Sequence, residues 1–221
     1  MDLAATIHAA AHSGNAEAQR QLEAYVEFAP EALEGCVAFI GTSGTDISSR
    51  FFSCSMLAAM ARKSRMPPGP QWETILAQAG ALVGVEDAAA TQLFEALGAA
   101  AVRAGSEPAI ALAARGAAGF KPSCLLLTCL ASEVARLTVH APNAAVAAPD
   151  SGAAGSVRQA LRAQTGPLME PVRAYLKACL TGGDSSGATL AMQCLVRFCE
   201  KALEIKCLNV IQVVQNDWSC V

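Results

Sequence analysis

The sequence predicts an all-α fold, in the form of a right-handed α–α superhelix of about five stacked helical pairs. Apolar residues recur at the i, i+3, i+4, i+7 spacing of a helix face along most of the chain. The period-two alternation of β-branched and aromatic residues that marks a half-buried strand does not occur over a useful length. Alanine, the residue with the highest helix propensity, supplies about a fifth of the chain.

Capping residues and glycines predict where the helices begin and end. Pro30, Pro70 and Pro108 mark three starts, because a proline in the first turn loses no helical hydrogen bond. The residues suited to an N-cap or first turn are Asp46, Asp87 and Ser106. The glycines that mark helix ends are Gly14, Gly41, Gly44, Gly105, Gly119 and the pair Gly182-Gly183.

These signals give a series of helices along the whole chain. In order, the predicted helices span 3–11, 15–29, 31–40, 46–63, 70–83, 87–104, 107–118, 122–139, 156–180, 186–205 and 206–215. The apolar stripe in 15–29 is Ala18, Leu22, Tyr25, Val26 and Ala29. In 88–103 it is Ala90, Leu93, Phe94, Leu97 and Ala101, and in 122–139 it is Leu126, Leu127, Leu130, Val134 and Leu137.

Paired in order, the helices form repeating units. The units lie at 3–29, 31–63, 70–104, 107–139 and 156–205, and their spacing of about 35–45 residues is typical of helical-hairpin repeats such as HEAT and armadillo units. One pair alone cannot bury its apolar face, whereas stacked pairs can. A globular bundle of the same helices is the alternative to this solenoid.

The predicted domain organisation places a linker between two helical regions. Residues 1–139 form HEAT-like repeats, residues 140–155 are an Ala-, Pro- and Gly-rich linker, and residues 156–221 add further repeat structure with an open C-terminal end. Within 156–180, Thr165-Gly166-Pro167 and Pro171 predict a break or kink, because a proline inside a helix costs about 3 kcal/mol.

Composition and charge exclude several classes of protein. The formal net charge of −3 argues against a broad basic face, so we expect no direct nucleic-acid binding. The N-terminus has neither a basic region nor an uninterrupted apolar core, which argues against a secretory signal. No stretch approaches the roughly 18–20 apolar residues of a membrane helix, and we expect no membrane partner.

Nine cysteines are spread along the chain. They are Cys36, Cys54, Cys124, Cys129, Cys179, Cys194, Cys199, Cys207 and Cys220. An odd count without a CxxC pair fits neither a disulfide framework nor a zinc site. We interpret them as small core residues in a reducing compartment, and nothing near Cys124 or Cys129 in the sequence indicates a lowered thiol pKa.

No set of residues in the sequence forms a recognisable catalytic site. His8 and His12 have the i, i+4 spacing that can hold zinc, but no Glu follows His8, and we interpret both as surface or interface histidines. The loop 41–46 lacks the Gly-Lys-Ser/Thr ending of a phosphate-binding loop, and no GxSxG elbow occurs. We therefore predict a protein that is not an enzyme, without cofactor or metal.

Four segments resemble helices of one known family. They are 46–55 (DISSRFFSCS), 91–97 (TQLFEAL), 123–134 (SCLLLTCLASEV) and 193–198 (QCLVRF). Their order and spacing resemble the N-terminal HEAT repeats of the importin-β (karyopherin-β) superfamily, and most of all the transportin-SR type of nuclear import receptor. The resemblance runs from about Leu3 to Leu208. Members of that family are several times longer, so we expect this chain to be a truncated fragment.

The resemblance implies a nuclear transport receptor. Such receptors shuttle between cytoplasm and nucleus through the nuclear pore, bind Ran in its GTP form through N-terminal repeats, bind Phe-Gly repeats of nucleoporins, and carry cargo proteins. The mildly acidic surface suits basic cargo. The alternative is a HEAT-repeat scaffold or adaptor without GTPase-dependent transport, and the two hypotheses differ in whether binding depends on the nucleotide.

The resemblance also points to residues that would contact Ran. The second helices of the first three units line the concave side in that family, and the polar residues there are Asp46, Ser49, Arg50, Ser53, Gln92 and Glu95. Each of these is also an ordinary solvated helix residue in the alternative interpretation. The nearby aromatic residues Phe51, Phe52 and Phe94 are expected in the core.

Overall fold

A computed structural model describes residues 2–116, 119–139 and 150–202, and the regular secondary structure in these ranges is entirely helical. The helices are α1 Leu3–Ser13, α2 Ala16–Phe28, α3 Ala32–Gly41, α4 Ile47–Arg62, α5 Pro70–Leu82, α6 Asp87–Ala104, α7 Ser106–Arg115, α8 Phe120–Val139, α9 Asp150–Ala163, α10 Thr165–Gly182 and α11 Ser185–Arg197, followed by a π-helical turn at Phe198–Ala202. The prediction of an all-α fold is confirmed for this part of the chain.

The predicted break in the long helix 156–180 is present. Gln164 separates α9 from α10, while Pro171 lies inside α10 without ending it. Helix α9 begins at Asp150, so residues 150–155, part of the predicted linker, are helical. Its buried stripe Ala154, Val157 and Leu161 explains the early start. Residues 140–149 of that linker, which include His140, lie outside the described residues. So does the predicted helix 206–215.

Side-chain caps fix several helix starts. Asp2 accepts a hydrogen bond from the backbone N–H of Ala5, and Asn15 accepts from those of Glu17 and Ala18. These bonds satisfy amide groups that have no partner within the helix. Asp46 caps α4 in the same way, and Asp184 caps α11. Asp46 is an N-cap, and Asp87 and Ser106 are the first residues of their helices, so the prediction of all three as N-cap or first-turn residues is confirmed.

The chain divides into two compact units, residues 1–100 and 101–221. In unit 1, α1 packs against α2 and α4, α2 also contacts α3 and α4, and α3 packs against α4 and α5. The largest fully buried side chains of this unit are Ile7, Leu22, Leu57, Met60, Ile75, Leu93, Phe94 and Leu97. These side chains form the core of the unit.

In unit 2, α8 contacts α7, α9, α10 and α11, and α10 packs against α11. The largest fully buried side chains are Leu126, Leu130, Leu161 and Phe198. Cys36, Cys54, Cys124, Cys129, Cys179 and Cys194 are buried thiols, as interpreted from the sequence, whereas Cys199 is partly exposed. Cys207 and Cys220 lie outside the described residues. In the described ranges, no helix combines the length and the apolar character needed to cross a bilayer.

Candidate functional site

Three polar side chains converge where α1 meets the start of α4. His8 and His12 lie one turn apart on α1, and Asp46 is the N-cap of α4. His12 Nε2 lies 3.2 Å from Asp46 Oδ1, and His8 Nδ1 lies 3.5 Å from Asp46 Oδ2. Within the described ranges, this cluster of His8, His12 and Asp46 is the group of side chains with the geometry to hold a metal ion.

The carboxylate of Asp46 is held in its charged form. A hydrogen bond of 2.9 Å from the backbone N–H of Ser49 is the main reason why the pKa of Asp46 falls to about 2, and His12 and His8 lower this pKa further. The fixed negative charge also lies at the N-terminus of α4, where the helix dipole favours it. The cluster therefore presents an anion to both imidazole rings at any physiological pH.

The two histidine rings are ordered by their own contacts. The ring centroids lie 4.2 Å apart with an interplanar angle of 29°. His12 Nδ1 lies 3.2 Å from the backbone carbonyl of His8, which accepts a hydrogen bond from it. Because a carbonyl oxygen only accepts, this bond places a proton on Nδ1, and the other ring nitrogen, Nε2, faces Asp46.

An open apolar groove adjoins this cluster. Its walls come from Ala11, from the first turns of α4 and from residues 85–89 around the start of α6. The exposed apolar side chains here are Ile47, Phe51 and Val85, which are 67%, 40% and 76% exposed. Phe52 is half-buried and lines the same groove. The sequence interpretation of Phe51 as a core residue is wrong, whereas Phe94 is fully buried as expected.

A buried ion pair joins the two walls of the groove. Arg50 on α4 donates to Glu86, and it also donates to the backbone carbonyl of Thr45 at 3.0 Å. The Arg50 and Glu86 side chains are only 15% and 8% exposed. The guanidinium of Arg50 therefore bonds α4 to the turn that precedes α6.

The six residues predicted to contact Ran occupy different environments. Asp46 is exposed, and Arg50 is engaged with Glu86. Ser49 and Ser53 face the core at 1% and 0% exposure, and their hydroxyls have no hydrogen-bond partner among the described residues. On α6, Gln92 is half-buried, and Glu95 is half-buried and pairs with Arg62 at 2.8 Å. The start of α4 thus brings Asp46, Ser49 and Arg50 together, Ser53 follows one turn later on the same helix, and α6 carries Gln92 and Glu95.

A second group of interest is a pair of buried thiols in unit 2. A hydrogen bond between Cys124 of α8 and Cys194 of α11 lowers the pKa of Cys124 and raises that of Cys194. The sequence interpretation found no cause for a lowered thiol pKa at Cys124, and it is wrong on this point. The cause comes from a helix distant in sequence, so no local pattern could have indicated it.

A third group surrounds the start of α11. A hydrogen bond with Cys179 raises the pKa of Tyr175 to about 12, and the Cys179 thiol lies 3.7 Å from Asp184 Oδ2. The backbone N–H of Gly187 lowers the pKa of Asp184. The Tyr175 ring also stacks on Phe120 with centroids 4.7 Å apart. These contacts fix α8, α10 and α11 to one another.

No protein-family model matches the chain, and comparison with curated proteins and with solved structures yields no significant match.

Proposed function

We propose that the chain is the N-terminal region of a nuclear transport receptor of the importin-β type, a right-handed stack of HEAT-like helical pairs that binds Ran in its GTP form. In this proposal it shuttles between cytoplasm and nucleus, binds Phe-Gly repeats of nucleoporins and carries basic cargo proteins. The resemblance of four helical segments to that family is the starting point of the proposal.

The order of helix contacts is the observation that carries the proposal. Successive helices pair, α1 with α2 and α3 with α4, and alternate helices touch, α2 with α4 and α3 with α5, while α1 also packs against α4. In unit 2, α7 pairs with α8, α7 stacks on α9 and α8 stacks on α10. Pairing between neighbours combined with stacking between alternate helices is what an array of helical hairpins requires.

The groove beside α4 supports the nucleoporin part of the proposal. Ile47, Phe51 and Val85 expose apolar surface next to the half-buried Phe52. In a Phe-Gly segment the phenylalanine is next to a glycine, which has no side chain. The aromatic ring can therefore insert into a shallow apolar groove. Exposed apolar surface that is grouped in this way is typical of an interaction site.

A scaffold or adaptor without GTPase dependence is the second candidate, and one observation favours it. Ser49 and Ser53 are buried, and Arg50 is paired with Glu86, so α4 offers few polar groups to a GTPase. An adaptor needs only the apolar groove. The two candidate functions differ in whether partner binding depends on the nucleotide bound to Ran.

The test is a pull-down of the purified chain with Ran loaded with GTP or with GDP. We expect binding to the GTP form only. Equal binding to both forms, or none from a sample that circular dichroism shows to be helical, would contradict the transport-receptor proposal. Binding of a Phe-Gly peptide in the same sample, weakened by Phe51→Ser, would then favour the adaptor.

A pair of variants locates the contact. Replacing Gln92 by Ala together with Glu95 by Gln removes one polar group and one negative charge from α6, and we expect weaker binding of Ran-GTP. The matched control is Glu17→Gln on α2, where the carboxylate is 62% exposed and makes an ion pair with Arg20. If the α6 double variant and Glu17→Gln weaken the binding of Ran-GTP equally, the loss reflects a general effect of charge and not a contact at α6.

A further inference from the structure

We propose that His8, His12 and Asp46 form a binding site for a divalent transition-metal ion of the zinc class, which would link α1 to the start of α4. Two imidazole nitrogens and one carboxylate oxygen are donors that Zn²⁺ commonly takes in proteins. The proposal rests on the convergence of these three side chains from two helices.

The distances suit a tetrahedral ion. With metal–ligand bonds of about 2.0–2.1 Å, neighbouring ligand atoms of a tetrahedral site lie about 3.3–3.4 Å apart. His12 Nε2 lies 3.2 Å from Asp46 Oδ1 and His8 Nδ1 lies 3.5 Å from Asp46 Oδ2, and one ligand atom from each residue lies within 4.8 Å of the other two. A tetrahedral ion would therefore draw the three side chains somewhat closer together.

The position of His12 also suits a metal ligand. The carbonyl of His8 accepts a hydrogen bond from His12 Nδ1, and the other ring nitrogen, Nε2, faces Asp46. A backbone carbonyl that orients a ligating histidine in this way is the usual arrangement in metal sites.

Ion pairs between the histidines and Asp46 are the alternative explanation for these distances. Binding of one metal ion, weakened by each single substitution, distinguishes a metal site from such ion pairs.

The site leaves room for a further ligand. The His8, His12 and Asp46 side chains are 64%, 41% and 43% exposed, so solvent reaches the position that a fourth ligand would take. Three protein ligands with an open fourth position distinguish such a site from a closed structural zinc site. We expect a water molecule there.

The experiment is a titration of the full chain, first stripped with a chelator, with Zn²⁺ against a chromophoric competitor and with Co²⁺ followed by visible absorption. We expect one equivalent to bind. His8→Gln, His12→Gln and Asp46→Asn should each weaken it by more than the roughly 10–100-fold that follows loss of a supporting second-shell partner. Asn is itself a good N-cap, so Asp46→Asn preserves the start of α4.

Asp2→Asn is the matched control, because Asp2 also caps a helix with its carboxylate but has no histidine partner in the described structure. We expect it to bind like the wild type. The cysteines are the main competing ligands, and Co²⁺ bound to thiolate shows intense near-ultraviolet charge-transfer bands that an N- and O-ligated ion lacks. Such bands, equal affinity in all variants, or the absence of binding would each overturn the proposal.

Discussion

Arg50 of α4 and Glu86 of the turn before α6 form a buried ion pair across 36 positions of sequence. Glu86 Oε2 has no hydrogen-bond partner among the described residues, so the guanidinium is the main compensation for this carboxylate. The pair connects the wall of the groove that carries Ile47 and Phe51 to the wall that carries Val85. Its removal is therefore a direct test of what holds the groove in shape.

Replacing Arg50 by Met should lower the free energy of unfolding by about 3 kcal/mol, because it leaves Glu86 as a buried charge without its partner. The double variant Arg50→Met, Glu86→Leu should lose less than Arg50→Met alone, since no orphaned charge remains. Urea unfolding measures both. Arg20→Met is the control, because it breaks an exposed pair with Glu17 and should cost less than about 0.5 kcal/mol.

The stability of the chain should depend on Asp46 in acid. Its pKa is about 2 in the folded protein, against 3.8 ordinarily. A lowered carboxyl pKa stabilises the folded state above about pH 4, and this contribution disappears as the pH falls toward about 2. The difference in unfolding free energy between wild type and Asp46→Asn should therefore shrink over this interval. A constant difference in urea unfolding at pH 5, 4 and 3 would contradict the assigned hydrogen bonds.

Phe94 and Phe51 should differ sharply when each is replaced by Ala. Phe94 is fully buried, so Phe94→Ala leaves a cavity and should cost about 3–5 kcal/mol. Phe51 is 40% exposed in the groove, so Phe51→Ala should cost about 1 kcal/mol or less. Thermal unfolding of the two variants makes the comparison, and similar losses would place Phe51 in the core after all.

Gly187 cannot accept a side chain without rearrangement. A Cβ there would contact Asp184 Oδ2 and would lie 2.6 Å from both Cys179 Sγ and Tyr175 Oη. Gly187→Ala should destabilise the protein by about 1–3 kcal/mol. Gly155 in α9 has no atom within 4 Å of the same position, so Gly155→Ala should instead stabilise by about 0.5–1 kcal/mol. Denaturant midpoints of the two variants should move in opposite directions.

The buried thiols should differ in reactivity. Burial raises the pKa of Cys36 and of Cys54 to about 12, so almost no thiolate forms at pH 7.5. Iodoacetamide labelling followed by peptide mass spectrometry should modify Cys199, which is partly exposed, well before these two. Rapid labelling of Cys36 in the folded protein would show that α3 opens locally.

The parts of the fold that were predictable are those with local causes. The stripe Leu93, Phe94 and Leu97 indicated both the helix α6 and its buried face, and Asp46 indicated a helix start, because caps and helix periodicity act within a few residues. The orientation of α4 was not predictable in this way. This helix carries Ile47 and Phe51 on its exposed side and Ser49 and Ser53 on its buried side.

Hydrophobicity alone predicts the opposite orientation, with the aromatic residue buried and the serines exposed. It fails here because small serines allow close packing while the aromatic side chain lies in a surface groove.

The cluster of His8, His12 and Asp46 could not be predicted from the sequence either. The histidine spacing was visible, but the third ligand comes from another helix, and only the packing of α1 on α4 brings it there.

The helices of unit 1 pack mainly on partners that are near to them along the chain, and Gly14 and Asn15 are enough to join α1 to α2. Contacts of this kind close short loops, so little chain entropy is lost before the first packing energy is gained. Folding of this unit is accordingly favoured to be fast.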